Sequence, residues 1–370
     1  MAIDKKKLLV FIPSIEDGGV EKNLFIISNY LSTQLKGIIL ITISKKYNHL
    51  FKNIKIINAK SNFWNNFNRR VKYIICLIIL IKIFLKDKNY VVLAFQANLY
   101  CTIICKLFNI KIIVRSNSSP SGWSKNNIKK MLYKKILNLT DCIIVNSFDF
   151  QKEFKRMFDA KSICIYNPLN KKEIIFKSKK YLNFPFFENK SRSLKIINVA
   201  RFTDQKDHLT LLRAVNLIKN KINFKLLIVG RGVNKIKMIN FINKNRLEKN
   251  VKIINFQNNP YKYIKKSNLF VLSSKFEGLP NVLLEAITLK KFVISSNCPT
   301  GPNEILTNGK GGELFNVGDY KALSEKILLY YKNRIILQKK INYSFKSLHR
   351  FNYYLNLKRY LDIVKRFTDI

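Results

Sequence analysis

Two kinds of apolar pattern alternate along this chain. Leu8-Leu9-Val10-Phe11-Ile12, Ile38–Ile43, Ile54–Ile57, Tyr90-Val91-Val92-Leu93-Ala94-Phe95, Ile110–Val114, Cys142–Asn146 and Ser162–Tyr166 are short, nearly unbroken apolar runs. Runs of that length without polar alternation predict strands covered on both faces, as in a parallel sheet. Between them lie longer stretches with apolar residues at helical spacing. Gly18-Gly19-Val20-Glu21-Lys22 opens one that runs to about Leu35. The most apolar segment, Val71–Leu85, is interrupted by Lys72 and Lys82. It is shorter than the roughly 20 apolar residues that cross a bilayer. It reads as a buried crossover helix or as an amphipathic helix lying on a membrane.

The alternation stops over residues 170–193, which are charged and aperiodic with Pro185 near the middle, and this predicts a linker. It then restarts. Leu194–Ala200, Phe224–Gly230, Val251–Ile254, Leu269–Leu272 and Phe292–Ser296 read as strands, His208 to about Asn220 and Ile236–Ile242 as helices. Strand–helix alternation predicts an α/β fold with parallel sheets. The expected organisation is one half over residues 1–180, a second over 190–345, and a final helix over 346–370. That helix carries Tyr353, Tyr354, Leu357, Tyr360 and Leu361 at helical spacing and is expected to pack back on the first half.

Composition narrows the setting. A chain of 370 residues can build two cores, and 47 % hydrophobic content suits a globular protein. The formal charge of +46 has two readings, attraction to a polyanion or the codon drift of an AT-rich genome, since the lysines are spread over the whole length. Most of Lys125, Lys129, Lys130, Lys134 and Lys135 share one broad helical face, with Met131, Leu132 and Ile136 between them. That face is either simply solvated or docks on anionic lipid. Nucleic acid is not the expected partner: it calls for aromatics interleaved with Lys and Arg on one sheet face, and here the aromatics lie in apolar runs. The six cysteines, at 76, 101, 105, 142, 164 and 298, form no Cys-x-x-Cys pair and read as buried thiols of a reducing compartment. Lys5-Lys6-Lys7 leads straight into the first strand, so no secretory leader is expected.

The candidate chemistry centres on Ser273-Ser274-Lys275-Phe276-Glu277-Gly278-Leu279-Pro280-Asn281, followed by a helix starting near Val282 that carries Glu285. Two carboxylates thus bracket the end of a strand and the start of a helix, the edge at which open α/β sheets bind ligands. A helix amino end suits a phosphate or hydroxyl-rich ligand. Arg201 and Lys206 follow another strand and reach the same edge. Cations there offset a diphosphate, and carboxylates accept hydrogen bonds from ribose and sugar hydroxyls, which suits a nucleoside-diphosphate sugar.

Glu277-x7-Glu285 around Gly278-Leu279-Pro280-Asn281, with Arg201 and Lys206 upstream, resembles the retaining glycosyltransferases of family 4. Gly18-Gly19-Val20-Glu21, Tyr166-Asn167-Pro168, Val199–Asp207, Ile228-Val229-Gly230-Arg231-Gly232 and Asn297–Leu306 are similar to further landmarks of that family, so the resemblance spans nearly the whole chain. It implies the GT-B fold, two Rossmann-like domains facing across a cleft. It also implies sugar transfer from a UDP-sugar to a lipid-linked or surface-glycan acceptor, without a cofactor or metal. An Asp-x-Asp metal motif is absent from the sequence. In the resemblance, Arg201 and Lys206 hold the donor diphosphate, Glu285 the ribose, and Glu277 the donor sugar beside the amides of Gly278, Leu279 and Asn281. Gly230 lies near the nucleoside, and Gly18 and Gly19 face the donor phosphate and acceptor. A peripheral place on the cytoplasmic face of the cell membrane is expected from Val71–Leu85 and the Lys125–Lys135 face.

Two departures stand out. Many family members carry a histidine after the fourth or fifth strand, whereas this chain has only His49, His208 and His349 and places Gln96 and Asn98 in that region. Asn255 stands where glycine is common, a mild change because Asn tolerates positive φ. A sugar-nucleotide 2-epimerase shares the architecture and is the alternative activity, although its acid–base chemistry fits the Arg201/Lys206 pair less well.

Overall fold

The computed structural model describes residues 6–16, 18–59, 64, 67–117, 123, 126–187 and 193–368. They form two compact units, Met1–Pro168 together with Tyr353–Ile370, and Leu169–Asn352.

The first unit holds β1 (Lys7–Phe11), β2 (Ile39–Ile41), β3 (Lys55–Ile57), β4 (Tyr90–Ala94), β5 (Lys111–Arg115), β6 (Cys142–Val145) and β7 (Ile163–Cys164). Its helices are α1 (Gly19–Gln34), α2 (Arg69–Lys86), α3 (Asn98–Leu107), α4 (Asn127–Asn138) and α5 (Phe148–Phe158). The second unit holds β8 (Leu194–Val199), β9 (Phe224–Val229), β10 (Val251–Ile254), β11 (Leu269–Leu272), β12 (Phe292–Ser296) and β13 (Glu313–Phe315). Its helices are α6 (Lys171–Ser178), α7 (His208–Ile218), α8 (Lys235–Lys244), α9 (Tyr261–Lys266), α10 (Asn281–Thr288), α11 (Pro302–Ile305), α12 (Tyr320–Lys332) and α13 (Arg334–Ser347). The closing helix α14 (Tyr353–Thr368) returns to the first unit.

Both sheets are parallel and doubly wound. The first runs β3-β2-β1-β4-β5-β6-β7, the second β10-β9-β8-β11-β12-β13. Val10 sits opposite Leu40 on one side and Leu93 on the other; Ile196 sits opposite Leu226 and Leu269. Helices cover both faces, so the central strands are buried throughout, which is why they read as continuous apolar runs.

α14 belongs to the first core: Leu357, Tyr360, Leu361 and Val364 pack with Leu8, Val10, Leu24 and Ile27. It begins at Tyr353 rather than 346, because Lys346 and Ser347 complete α13 and Leu348–Phe351 form a short helical turn of the second unit.

Two further sequence expectations change, and a third falls partly outside the described residues. The stretch 170–187 is not a free linker. It forms α6 and a helical turn at Pro185–Phe187, and it buries Ile174, Leu182, Phe184 and Phe187 in the second unit. Phe184 stands edge-on to Tyr263, 5.3 Å between ring centres, and Lys266 Nζ donates to the Leu182 carbonyl at 2.6 Å. The chain therefore changes unit at Pro168 rather than near 180. Second, α2 is not a buried crossover helix: it buries Cys76, Leu80 and Phe84 but leaves Ile74, Ile78 and Leu85 in solvent. Third, Lys125 lies outside the described residues, while Lys129, Lys130, Lys134 and Lys135 stand on α4 beside exposed Met131 and Leu132. All six cysteines are buried and none is in a disulfide.

Candidate active site

In the second unit the strand order reverses between β8 and β11. The chain winds away from these neighbours in opposite directions, so the crevice beyond their carboxyl ends is left open to a ligand. The segments leaving the two strands are laced together. Lys275 N–H donates to the Gln205 carbonyl and Gln205 Nε2 to the Phe276 carbonyl, both at 2.8 Å. The buried Ser273 hydroxyl reaches the carbonyls of Lys206 and Asp207, at 3.1 and 2.9 Å. The segment after β12 completes this floor: Ser296 Oγ donates to the Ser274 carbonyl at 2.6 Å and Thr300 Oγ1 to the Glu277 carbonyl at 2.5 Å. Gly301, at φ +90°, lies so close that a Cβ would stand 2.3 Å from the Gly278 carbonyl oxygen. Only glycine fits there, on both backbone and space grounds.

On this floor Lys206 Nζ lies 2.5 Å from Glu277 Oε1, and both side chains are largely shielded from water. The Ser274 hydroxyl donates to the same oxygen at 2.6 Å. Oε1 thus takes both donors, and Oε2 takes no hydrogen bond among the described residues. Glu285, on the first turns of α10, is 5 % exposed and accepts from Tyr261 Oη at 3.4 Å. α10 starts at Asn281 behind Pro280, without a side-chain cap, so its positive end opens directly from the Gly278-Leu279 loop. Arg201, just past β8, is exposed. Gly230, just past β9, meets the other side of the same turn: a Cβ would stand 1.9 Å from the Ala200 carbonyl oxygen and 2.8 Å from the Phe202 ring.

Arg201, Lys206, Gly230, Glu277, Gly278, Leu279, Asn281 and Glu285 therefore all belong to one sheet edge of the second unit, and Lys206 and Glu277 touch directly. Gly18 and Gly19 stand at the corresponding edge of the first unit, where strand order reverses between β1 and β4. Gly18 caps α1 in extended conformation, and a Cβ on it would stand 2.7 Å from Glu21 Oε2. Gln96, in the region where the resemblance leads one to look for a histidine, accepts the Ser14 N–H at 3.2 Å and so ties the β4 loop to the β1 loop.

Several residues escaped sequence reasoning. Ser274 and Thr300 reveal themselves only through the fold. His208 follows Lys206-Asp207 at the start of α7 and is 3 % exposed, edge-on to Phe202, with neither ring nitrogen bonded among the described residues. Burial, then the Lys206 charge, pushes its imidazole down to about 4, so it is neutral at pH 7. Burial, then the Glu277 charge, pushes the Cys298 thiol up to about 12, which makes it a packing group rather than a nucleophile. In the first unit Arg115 is fully buried at the end of β5. It donates to Tyr360 Oη at 2.8 Å and Asn167 Oδ1 at 2.7 Å, with Nη1 unpaired. Asn98, Ser116, Asn117 and Asn146, on the same edge, each hold a buried side-chain oxygen without a partner among the described residues. Groups of three or more His, Cys, Asp or Glu suited to a metal do not occur among the described residues.

The family model described as glycosyl transferases group 1 matches residues 182–347, nearly the whole second unit. The second unit is thus similar to a glycosyltransferase group 1 domain. Every site residue named above in that unit lies inside the matched segment of the group 1 domain. The chain is 34 % identical over 220 residues to an uncharacterized glycosyltransferase of Methanocaldococcus jannaschii, covering 55 % of this chain and 53 % of that protein. It is 27 % identical over 254 residues to a Campylobacter jejuni N-acetylgalactosamine-N,N'-diacetylbacillosaminyl-diphospho-undecaprenol 4-alpha-N-acetylgalactosaminyltransferase, covering 64 % of this chain and 67 % of that protein. This chain thus spans about half the length of the first of these relatives and two thirds of the second. Anabaena HepE, solved in complex with UDP and glucose, aligns over 98 % of this chain and 100 % of its own with a TM-score of 0.79 at 14 % identity. That likeness is one of fold: two parallel-sheet Rossmann-like units of the GT-B type.

Proposed function

We propose that the chain is a retaining glycosyltransferase that moves a hexose or N-acetylhexosamine from a UDP-sugar to a lipid-linked or surface-glycan acceptor. The observation that carries this reading is the Lys206–Glu277 pair beyond the carboxyl ends of β8 and β11, in which both donors bond one carboxylate oxygen. In this reading Arg201, Lys206 and the amino end of α10 carry the charge that develops on the departing diphosphate, in place of a metal. Glu285 accepts from the ribose hydroxyls. Glu277 Oε2 accepts from the donor sugar, and the Gly278, Leu279 and Asn281 amides line the same path. Glu277 is bonded through Oε1, which suits holding the sugar better than attacking its anomeric carbon. Retention then arises as the acceptor hydroxyl bonds to that carbon on the face the diphosphate leaves, passing its proton to the diphosphate. The named activity of the Campylobacter relative supports a lipid-linked acceptor, and the UDP and glucose bound to the Anabaena protein support the donor.

A donor screen tests the reading. UDP-, GDP- and ADP-sugars are compared by thermal shift and by acceptor-independent hydrolysis. UDP-sugars are expected to stabilise the protein and to be slowly hydrolysed, and Glu285→Ala to lose both effects. Stabilisation by none of the nucleotides, or unchanged affinity in Glu285→Ala, overturns it. Conversion of the donor to its 2-epimer without acceptor replaces it with the epimerase activity. The anomeric configuration of the product, read by NMR, decides retention.

A further inference from the structure

We propose that the loop after α11 carries a site of covalent self-modification: the side-chain amide of Asn308 closes on the Gly309 nitrogen, and the ring then opens to isoaspartate. The proposal does not depend on which reaction the chain carries out.

Asn308-Gly309 is the one Asn-Gly pair in the sequence. Glycine has no Cβ to shield its nitrogen, so the preceding side chain meets least hindrance in reaching it. The structure sets the reacting groups in an open loop. Asn308 is exposed and Gly309 half-buried. The bonds that shape the loop are made around them: Lys310 N–H donates to the Thr307 carbonyl at 3.2 Å, and Gly311 N–H to that of Leu306 at 2.9 Å. The Gly309 nitrogen, which is the nucleophile, and the Asn308 amino group, which leaves, make no hydrogen bond among the described residues. The Asn308 side-chain oxygen does make one, accepting from Asn303 Nδ2 at 2.7 Å. That donor faces the atom on which negative charge develops as the ring closes. Thr307, Asn308 and Gly309 follow one another at φ +51°, +54° and +83°. Left-handed backbone at a β-branched residue is strained, so the loop keeps this shape only through its surroundings.

In the first step the Gly309 nitrogen bonds to Cγ of Asn308. The Cγ–Nδ2 bond breaks, and the proton lost from Gly309 leaves with the amino group as ammonia. Water then adds to one of the two carbonyls of the succinimide ring. Opening at Cγ gives aspartate at position 308. Opening at the main-chain carbonyl gives isoaspartate, whose backbone runs through the side chain and is one carbon longer.

The extra carbon falls where the loop is pinned. Lys340 Nζ donates to the carbonyls of Gly309 and Gly312, at 3.0 and 3.2 Å, and Asn308 N–H to the Asn303 carbonyl at 3.1 Å. Asn303 belongs to α11, which starts behind Gly301, close against the Gly278 carbonyl. Conversion therefore loosens one wall of the floor that carries Glu277, and it marks the age of the molecule.

The test holds the folded full chain at neutral and at mildly alkaline pH, with a urea-unfolded sample alongside, and maps both by peptide mass spectrometry. In the folded chain residue 308 should convert before any other asparagine, including Asn146, which precedes a serine but is buried. Conversion should be faster at the higher pH, with isoaspartate exceeding aspartate. The melting temperature should fall by about 2–4 °C or more as it proceeds, the shift expected for one lost local interaction in a unit of this size. Asn308→Gln, whose longer side chain does not close the same ring, should keep its mass and its melting temperature through the incubation. Asn308→Asp carries the new charge without the added carbon and should melt near wild type. The proposal falls if Asn308 stays intact in the folded chain, if another asparagine of the folded chain converts first, if Asn308→Gln loses stability on incubation as the wild type does, or if Asn308→Asp melts as low as the converted protein.

Discussion

Lys206 and Glu277, 71 positions apart, meet at 2.5 Å as a shielded ion pair beyond the carboxyl ends of β8 and β11. Such a pair repays its desolvation only when its remaining bonds are satisfied, and here Ser274 supplies the further donor. The cation expected to meet a diphosphate is thus already held by the carboxylate expected to meet the sugar. One residue positions the other.

Removing one partner should therefore cost more than a surface charge would. Glu277→Ala leaves an ammonium group shielded and unpaired and should destabilise by about 3–5 kcal/mol. Glu277→Gln keeps an acceptor for Ser274 and should cost less. Urea denaturation of both, with Lys206→Met and the double variant as a cycle, measures the coupling. Additive effects would show that the pair is not formed in solution.

His208 should make stability fall in mild acid. Its folded-state value, about 4, lies below the unfolded value near 6.5, so the unfolded chain binds the extra proton between them. The stability this confers is present above the unfolded value and is lost as pH falls towards the folded one. From pH 7 to pH 5 the loss attributable to this group is about 2 kcal/mol. Denaturant midpoints across that range should fall steeply in wild type and less so in His208→Leu. Parallel slopes would contradict the assignment.

Gly230→Ala should damage the nucleotide-side edge without touching a charge. The new Cβ would drive into the Ala200 carbonyl and the Phe202 ring. The overpacking costs about 1–3 kcal/mol or more and displaces the turn that carries Arg201. A lowered melting temperature together with weakened UDP-sugar binding is expected; a variant with wild-type melting would refute the close approach.

Tyr360→Phe removes the acceptor for Arg115 Nε and should destabilise the first unit by about 1–3 kcal/mol, since the guanidinium stays buried. Arg115→Met is the informative counterpart. Among the described residues no carboxylate pairs with this cation, so an apolar replacement should be neutral or stabilising. Thermal denaturation with transfer assays separates two outcomes: lost transfer in a stable Arg115→Met protein assigns the charge to function, and lost folding assigns it to the core.

The parallel strands were legible from sequence because a strand buried on both faces must be an unbroken apolar run, and Leu8–Ile12, Tyr90–Phe95 and Leu269–Leu272 are such runs. The two-sheet architecture followed from their alternation with helices. That Arg201, Lys206, Glu277 and Glu285 stand at one sheet edge of the second unit was legible too, since the first three follow strands and Glu285 lies in the helix that starts just after, and local patterning sets those positions.

Partners across long sequence separations were not. That Lys206 bonds Glu277 depends on β8 and β11 becoming neighbours, and sheet order is decided by how helices pack on both faces. Residues 170–187 lack periodicity because they are held by scattered contacts to the second unit rather than by one amphipathic face. Composition made α2 apolar, but only its packing decided that Cys76, Leu80 and Phe84 turn inward and Ile74 and Ile78 remain outside. Local sequence thus determined which segments become strands and helices and which chemistry reaches their ends, because backbone preference and burial act within a few residues. Tertiary structure alone decided which charges pair and which apolar faces stay uncovered, because both depend on groups brought together from distant parts of the chain.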